Sequence, residues 1–148
     1  MMEICINEEL IRQKRYGSYF SLLFIDCNKF KAINDTYGHD CGDKVLAYVA
    51  SQLSELIREN DRCFRYAGDE FVIMLANQSF NEASLVAHRL CQFFIERPMP
   101  YQNKSLEVTI SCGVATSNGS QTMDELLQIA DQQLYLNKAK CPQENSKV

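Results

Sequence analysis

No run of apolar residues in this chain approaches the length of a bilayer crossing, and its opening Met-Met-Glu-Ile-Cys lacks the basic-then-apolar order of a secretory leader. No membrane segment is therefore expected. Cysteine pairs at CxxC spacing are also missing: the seven cysteines (Cys5, Cys27, Cys41, Cys63, Cys91, Cys112, Cys141) are scattered and odd in number. That pattern suits free thiols in a reducing compartment and points to the cytoplasm. A basic excess is absent as well. With a net charge of -4 and a pI near 5.2, the chain is a poor binder of nucleic acid polymers, which require Lys and Arg to neutralise phosphates. A single nucleotide held through a metal is not excluded. Internal repeats and linkers are lacking, and 148 residues with 46% hydrophobic content suffice for one domain, residues 1–148, without metal or disulfide staples.

What is present alternates between helical and strand patterns. Residues 7–15 favour a helix ended by Gly17, with acidic residues early and basic ones late. The nearly continuous apolar run from Tyr19 to Ile25, closed by Asp26, predicts a strand buried on both faces and central in its sheet. Phe30, Ile33 and Tyr37 mark a short helix, and an apolar stripe from Val45 to Ile57 marks a second one opening at Gly42-Asp43. Runs 63–67 and 70–76 flank Gly68-Asp69, a β-hairpin signature. Ser79 to Glu82 and Thr122 to Glu125 have the spacing of capping boxes that start two further helices, with a strand over 107–116 between them. This order predicts an α/β (α+β) fold with helices flanking a mixed central sheet, a core over about 18–140 and a polar tail over 142–148.

The chemistry concentrates at the hairpin. Asp69 and Glu70 are adjacent carboxylates, and Asp26 leaves the end of an interior strand that plausibly neighbours them. Like charges this close call for a cation, and three hard oxygen donors suit Mg²⁺ together with phosphate oxygens. Two plainer readings stand beside this one: a solvated turn for Asp69-Glu70, and a helix N-cap for Asp26. A zinc site using His39, Cys41 and Cys27 matches known ligand spacings poorly.

Blocks of residues in order carry a resemblance. Asp26 to Asp35, Tyr37-Gly38-His39, Gly42-Asp43, Arg65-Tyr66-Ala67-Gly68-Asp69-Glu70-Phe71, Val108 to Ala115, and Ala130-Asp131 with Leu134-Tyr135 resemble the successive motifs of the GGDEF family of diguanylate cyclases. The resemblance implies a fold similar to the palm of nucleotidyl cyclases and polymerases. It implies condensation of two GTP into cyclic di-GMP by a homodimer. It implies Mg²⁺, with Mn²⁺ as an alternative, on Asp26, the Cys27 carbonyl, Glu70 and Asp69, with Asp69 and Glu70 as the catalytic carboxylates. Asn34 and Asp43 fall where the family reads guanine, and the chemistry fits: a carboxylate accepts from guanine N1 and N2, and an amide both donates and accepts. Without the family, Asn34 reads as a loop hydrogen bond and Asp43 as a helix N-cap. Lys29, Phe30 and Lys31 at a helix start, Gly68 in the turn and Lys138 on the last helix complete the implied GTP site. Arg58 and Asp61 lie where the family carries its RxxD product-inhibition site.

The chain departs from the family pattern in several places. Ala67 replaces the first glycine of the motif, Asn28 stands where Asp is frequent, and Asn137 replaces a common Ala. Cys141-Pro142 replaces Gly-Arg, so a phosphate-binding arginine is lost unless Lys140 substitutes for it. The Leu-Thr-Gly-Leu block and any sensory domain are missing from the start, which reads as a piece of a longer signalling protein or a shortened one. These departures leave a second reading open: a degenerate domain that binds GTP or cyclic di-GMP as a regulatory module. A scaffold that uses neither nucleotide is the third.

Overall fold

In the computed structural model, residues 1–139 are described; the expectations about Lys140, Cys141, Pro142 and the tail over 142–148 lie outside them. The elements run α1 (Met2–Tyr16), β1 (Phe20–Cys27), α2 (Phe30–Tyr37), α3 (His39–Leu56), β2 (Arg62–Ala67), β3 (Glu70–Ala76), α4 (Phe80–Glu96), β4 (Met99–Tyr101), β5 (Lys104–Leu106), β6 (Ile110–Ser117) and α5 (Met123–Ala139). The main sheet has the order β2-β3-β1-β6, and β4-β5 form a separate small hairpin that the sequence patterns did not reveal.

All three pairings of the main sheet are antiparallel, where strands of mixed direction were expected. The connections explain the difference. β1 and β2, joined through α2 and α3, run the same way, but β3 lies between them. β3 and β6, joined through α4, also run the same way, and β1 lies between those two. Strands linked by helices are therefore never neighbours, and each adjacent pair is antiparallel.

The period of two along β1 and β3 divides the core between the two faces of the sheet. Leu23, Ile25 and Cys27 of β1 join Phe71, Ile73 and Leu75 of β3 under α3 and α4, with Val45, Val49, Leu53, Leu90 and Phe94 supplied by those helices. Phe20, Leu22 and Phe24 join Val72 and Met74 on the opposite face, covered by Ile6 of α1 and by Leu126, Ala130 and Leu134 of α5. An apolar run with no alternation is what such two-sided burial requires, and it is why β1 reads as central.

Both expected capping boxes form. Ser79 accepts from the Glu82 amide while the Glu82 side chain accepts from the Ser79 amide, and Thr122 and Glu125 exchange the same two bonds at 3.2 and 2.9 Å. The opening helix starts earlier than expected, at Met2. It is tied to the sheet by Gln13, whose buried amide donates to the Ser117 carbonyl at 2.7 Å. At the other end of β6, α5 lies directly on the strand: a Cβ at Gly113 would run into the Ala130 carbonyl and the Leu134 amide. Only glycine permits that approach.

Candidate functional site

The hairpin tip and the end of β1 meet as the sequence suggested. Asp26 is the cross-strand partner of Glu70 on one side and of Ser111 on the other, and the Cys27 amide donates to the Asp69 carbonyl at 3.2 Å. Three features set the turn. Gly68 takes the positive φ of +46°. The pairing of β2 with β3 shifts register between Arg65 and Ala67. The Arg65 guanidinium donates from Nε and Nη2 to the Gly68 carbonyl at 3.1 and 2.9 Å. Phe24 and Tyr66 pack edge to face at 5.1 Å beneath it. Ala67 is exposed and does not carry a positive φ, so its methyl group causes no backbone strain.

Asp26 is the centre of the electrostatics. Its Oδ2 receives Lys138 Nζ at 2.5 Å, while its Oδ1 is buried and has no hydrogen-bond partner. The N-cap reading of Asp26 falls, because α2 opens at Phe30 after Lys29, without a side-chain cap. Burial, first, pushes the Asp69 carboxyl up to about 6; the neighbouring Asp26 carboxylate adds to this, and a backbone hydrogen bond and then Lys138 oppose it. Glu70 is raised as well, by burial first and then by the charges of Asp26, Asp69 and Asp131. Asp69 and Glu70 are half-buried, more enclosed than the exposed Ala67 and Gly68 beside them.

Among the described residues no three His, Cys, Asp or Glu side chains converge to chelate a metal by themselves. The donor set instead matches what Mg²⁺ takes from a protein: one or two carboxylates, with phosphate and water completing the shell. The orphaned Asp26 Oδ1 fits that use, since a buried carboxylate oxygen without a donor is costly unless a cation meets it.

The turn after β1 is fastened to β6 by Asn28. Its amide hydrogens reach Thr109 Oγ1 at 3.0 Å, its carbonyl accepts from Ser111 Oγ at 2.8 Å, and its backbone N–H donates to the Thr109 carbonyl at 2.9 Å. Lys29 follows with φ of 57° and is exposed, as is Lys31, while Phe30 packs against the core. One helical turn on, Asn34 is held with its Oδ1 buried and unpartnered, so the loop-bond reading of Asn34 falls. Gly42 makes this placement possible, because a Cβ there would collide with that oxygen. Asp43 lies inside α3, which begins at His39, so Asp43 is no N-cap; it is exposed and lines a cleft of about 280 Å³ that also contains Arg65.

Arg58 and Asp61 sit at the far end of β3 from the carboxylates, on the order of 20 Å away at the usual rise per strand residue. Asp61 is buried, and both its oxygens are in use: Oδ2 accepts from the Arg58 amide at 3.0 Å and from Arg58 Nε at 3.4 Å, and Oδ1 accepts from the Ala76 amide at 3.1 Å. Arg58 also donates to the Ala76 carbonyl at 2.8 Å, with its side chain 60% exposed.

The structure thus joins Asp26, Asp69, Glu70 and Lys138 in one cluster and Asn34 with the region of Asp43 in another, and separates Arg58-Asp61 from both. Sequence reasoning missed Arg65 as the brace of the turn, Asp131 as a charge facing Glu70, and Asn28 as the anchor of the loop. A guanidinium three residues before a turn glycine is a usable signal for the first. The other two depend on strand and helix placement, which periodicity does not report.

Residues 1–144 match the family described as Diguanylate cyclase, GGDEF domain. Diguanylate cyclase DosC of Escherichia coli (strain K12) is 38% identical over 133 residues, covering 89% of this chain and 29% of that protein. Diguanylate cyclase SiaD of Pseudomonas aeruginosa, solved in complex with its activator SiaC, superposes with a TM-score of 0.88 at 32% identity, covering 94% of this chain and 54% of the other. The GGDEF domain of DgcB from Caulobacter crescentus, solved in complex with c-di-GMP, gives a TM-score of 0.84 at 25% identity, covering 93% and 84%. The chain spans under a third of the length of DosC.

Proposed function

Since the chain belongs to the GGDEF diguanylate cyclase family, we propose that it condenses two GTP molecules into cyclic di-GMP as a homodimer, releasing two pyrophosphates. One observation supports this above others: two buried side-chain oxygens among the described residues lack partners, Asp26 Oδ1 and Asn34 Oδ1, and a metal-bound triphosphate and a guanine edge would supply them.

In this reading Asp26, the Cys27 carbonyl and the hairpin carboxylates Asp69 and Glu70 hold the divalent metal on which the family generally depends, Mg²⁺ or Mn²⁺. When bound, that ion withdraws charge from the triphosphate and so favours attack at the α-phosphorus. Asp69 serves the catalytic step and Glu70 mainly the metal. Asn34 Oδ1 accepts from the guanine amine, and Asp43 accepts from N1 and N2. Gly68 lets the nucleotide approach the turn. The start of α2, with Lys29, Phe30 and Lys31, holds phosphate through backbone amides not engaged by a side-chain cap. With a metal held on Asp26, Lys138 would be free to pair with a phosphate oxygen. Each protomer holds one GTP, so the 3′-hydroxyl on one attacks the phosphorus held by its partner. Arg58 and Asp61 form a product-inhibition site, and a separate input domain acts on this one.

A second reading, a regulatory module that binds GTP or cyclic di-GMP without turnover, rests on Ala67 in the first motif position. Incubation of concentrated protein with GTP and Mg²⁺, followed by chromatography for cyclic di-GMP, separates the two. Product supports the cyclase; intact GTP that nonetheless binds supports the module, and absence of both nucleotides from the protein would return the scaffold reading.

A further inference from the structure

A thiol pair lies outside the site described above. Cys91 on α4 and Cys112 on β6, 21 residues apart in the chain, face each other with Sγ atoms 3.6 Å apart. Both line a groove of about 880 Å³ that runs from Ile95 and Leu106 past Ile33 to Asn137, from which a small solute reaches the half-buried Cys91. Cys112 is 5% exposed and Cys91 half-buried. Among the described residues no third ligand joins them to make a metal centre.

We propose that Cys91 and Cys112 are a peroxide-oxidised pair, forming a reversible disulfide that ties α4 to the sheet. The geometry orders the roles. Cys91 is the more exposed of the two, and its contact with Cys112 holds its pKa below the ordinary value, whereas burial pushes Cys27 up to about 12 and Cys63 up to about 11. The Cys91 thiolate attacks a peroxide oxygen, giving a sulfenic acid and, for hydrogen peroxide, hydroxide. Cys112 sulfur then attacks the Cys91 sulfur, the S–S bond forms, and the sulfenic oxygen leaves as water with the thiol proton. Two thiols and one peroxide become one disulfide and two waters. The sulfurs close from 3.6 Å to about 2.05 Å, a movement within side-chain rotation and a small shift of α4. The bond would act next to Ser111, which holds Asn28.

The test is peptide mapping of the full chain after a stoichiometric dose of hydrogen peroxide, without and with dithiothreitol. The expected result is a Cys91–Cys112 linked peptide lighter by two hydrogens and lost on reduction. A rise in Tm on the order of 5 °C should accompany it and be absent in Cys91→Ser, whose half-exposed position tolerates the change. Oxidation that leaves these two cysteines unlinked, or links either to a different cysteine, overturns the proposal. So does a Tm rise that persists in Cys91→Ser.

Discussion

Lys138 Nζ sits 2.5 Å from Asp26 Oδ2, so the last helix supplies the counter-charge for the carboxylate at the end of the central strand. The pair is partly enclosed, with the two side chains 32% and 18% exposed, and its lysine opposes the repulsion in a cluster that also contains Asp69 and Glu70.

Lys138→Met should therefore destabilise the metal-free protein by about 1 kcal/mol in urea unfolding, and most of that cost should vanish in an Asp26→Asn background. Additive single and double mutants would show the two groups to be uncoupled. In the nucleotide assay Asp26→Asn should cost at least about a hundredfold in cyclic di-GMP formation.

Gly42→Ala is expected to displace the Asn34 amide, because the added methyl occupies the place of its Oδ1. GTP affinity by calorimetry should fall at least about tenfold with the far-UV spectrum unchanged, matching the loss of one hydrogen bond to a polar ligand edge. Unaltered affinity would remove Asn34 from the guanine site.

At the far end of β3, Asp61→Ala leaves three donors without their acceptor in a buried position and should cost about 3 kcal/mol. Arg58→Ala, whose side chain is 60% exposed, should cost under about 1 kcal/mol and abolish cyclic di-GMP binding there. Asp61 thus holds the end of β3 whatever its part in inhibition, and Arg58 is the cleaner probe of the RxxD site.

Ala67→Gly tests the variant motif. The methyl group is exposed and the backbone unstrained, so the change should lower stability by roughly 0.5 kcal/mol through chain entropy and alter product formation less than about threefold. A tenfold gain in turnover would show that the methyl crowds the nucleotide.

Glu82 gives a pH signature. Its capping bonds with Ser79, the backbone bond first and the side-chain bond next, hold its carboxyl below the ordinary value. A lowered carboxyl binds fewer protons folded than unfolded, so its contribution is full above the ordinary Glu value and is lost as pH falls through the lower folded one. The stability gap between wild type and Glu82→Gln should accordingly narrow below about pH 4.5 in denaturant titrations; a constant gap would contradict the cap.

Much of this was legible before any coordinates. The strand from Phe20 to Cys27 declared its two-sided burial through an unbroken apolar run, and Ser79 and Thr122 announced their helices by capping spacing. Asp26, Asp69 and Glu70 stood out as like charges at a hairpin and a neighbouring strand end, and their roles came from the family resemblance, since carboxylates at turns and helix starts are common. Strand direction was not legible, since it depends on which strand inserts between two others, and period-two burial is the same either way. The small hairpin formed by Met99–Tyr101 and Lys104–Leu106 was not legible, since each of its strands is only three residues long and one of them contains Pro100. Asp43 looked like a cap because Gly42 looked like a helix start; that glycine is instead room for Asn34.

Gly113 bears on how quickly the site responds. With no side chain between them, the backbones of α5 and β6 are in direct contact, so the helix has no slack in which to slide or tilt. The release of Lys138 from Asp26 proposed above therefore calls for rotation about the lysine's own side-chain bonds and not for displacement of the whole helix, a motion of microseconds or longer.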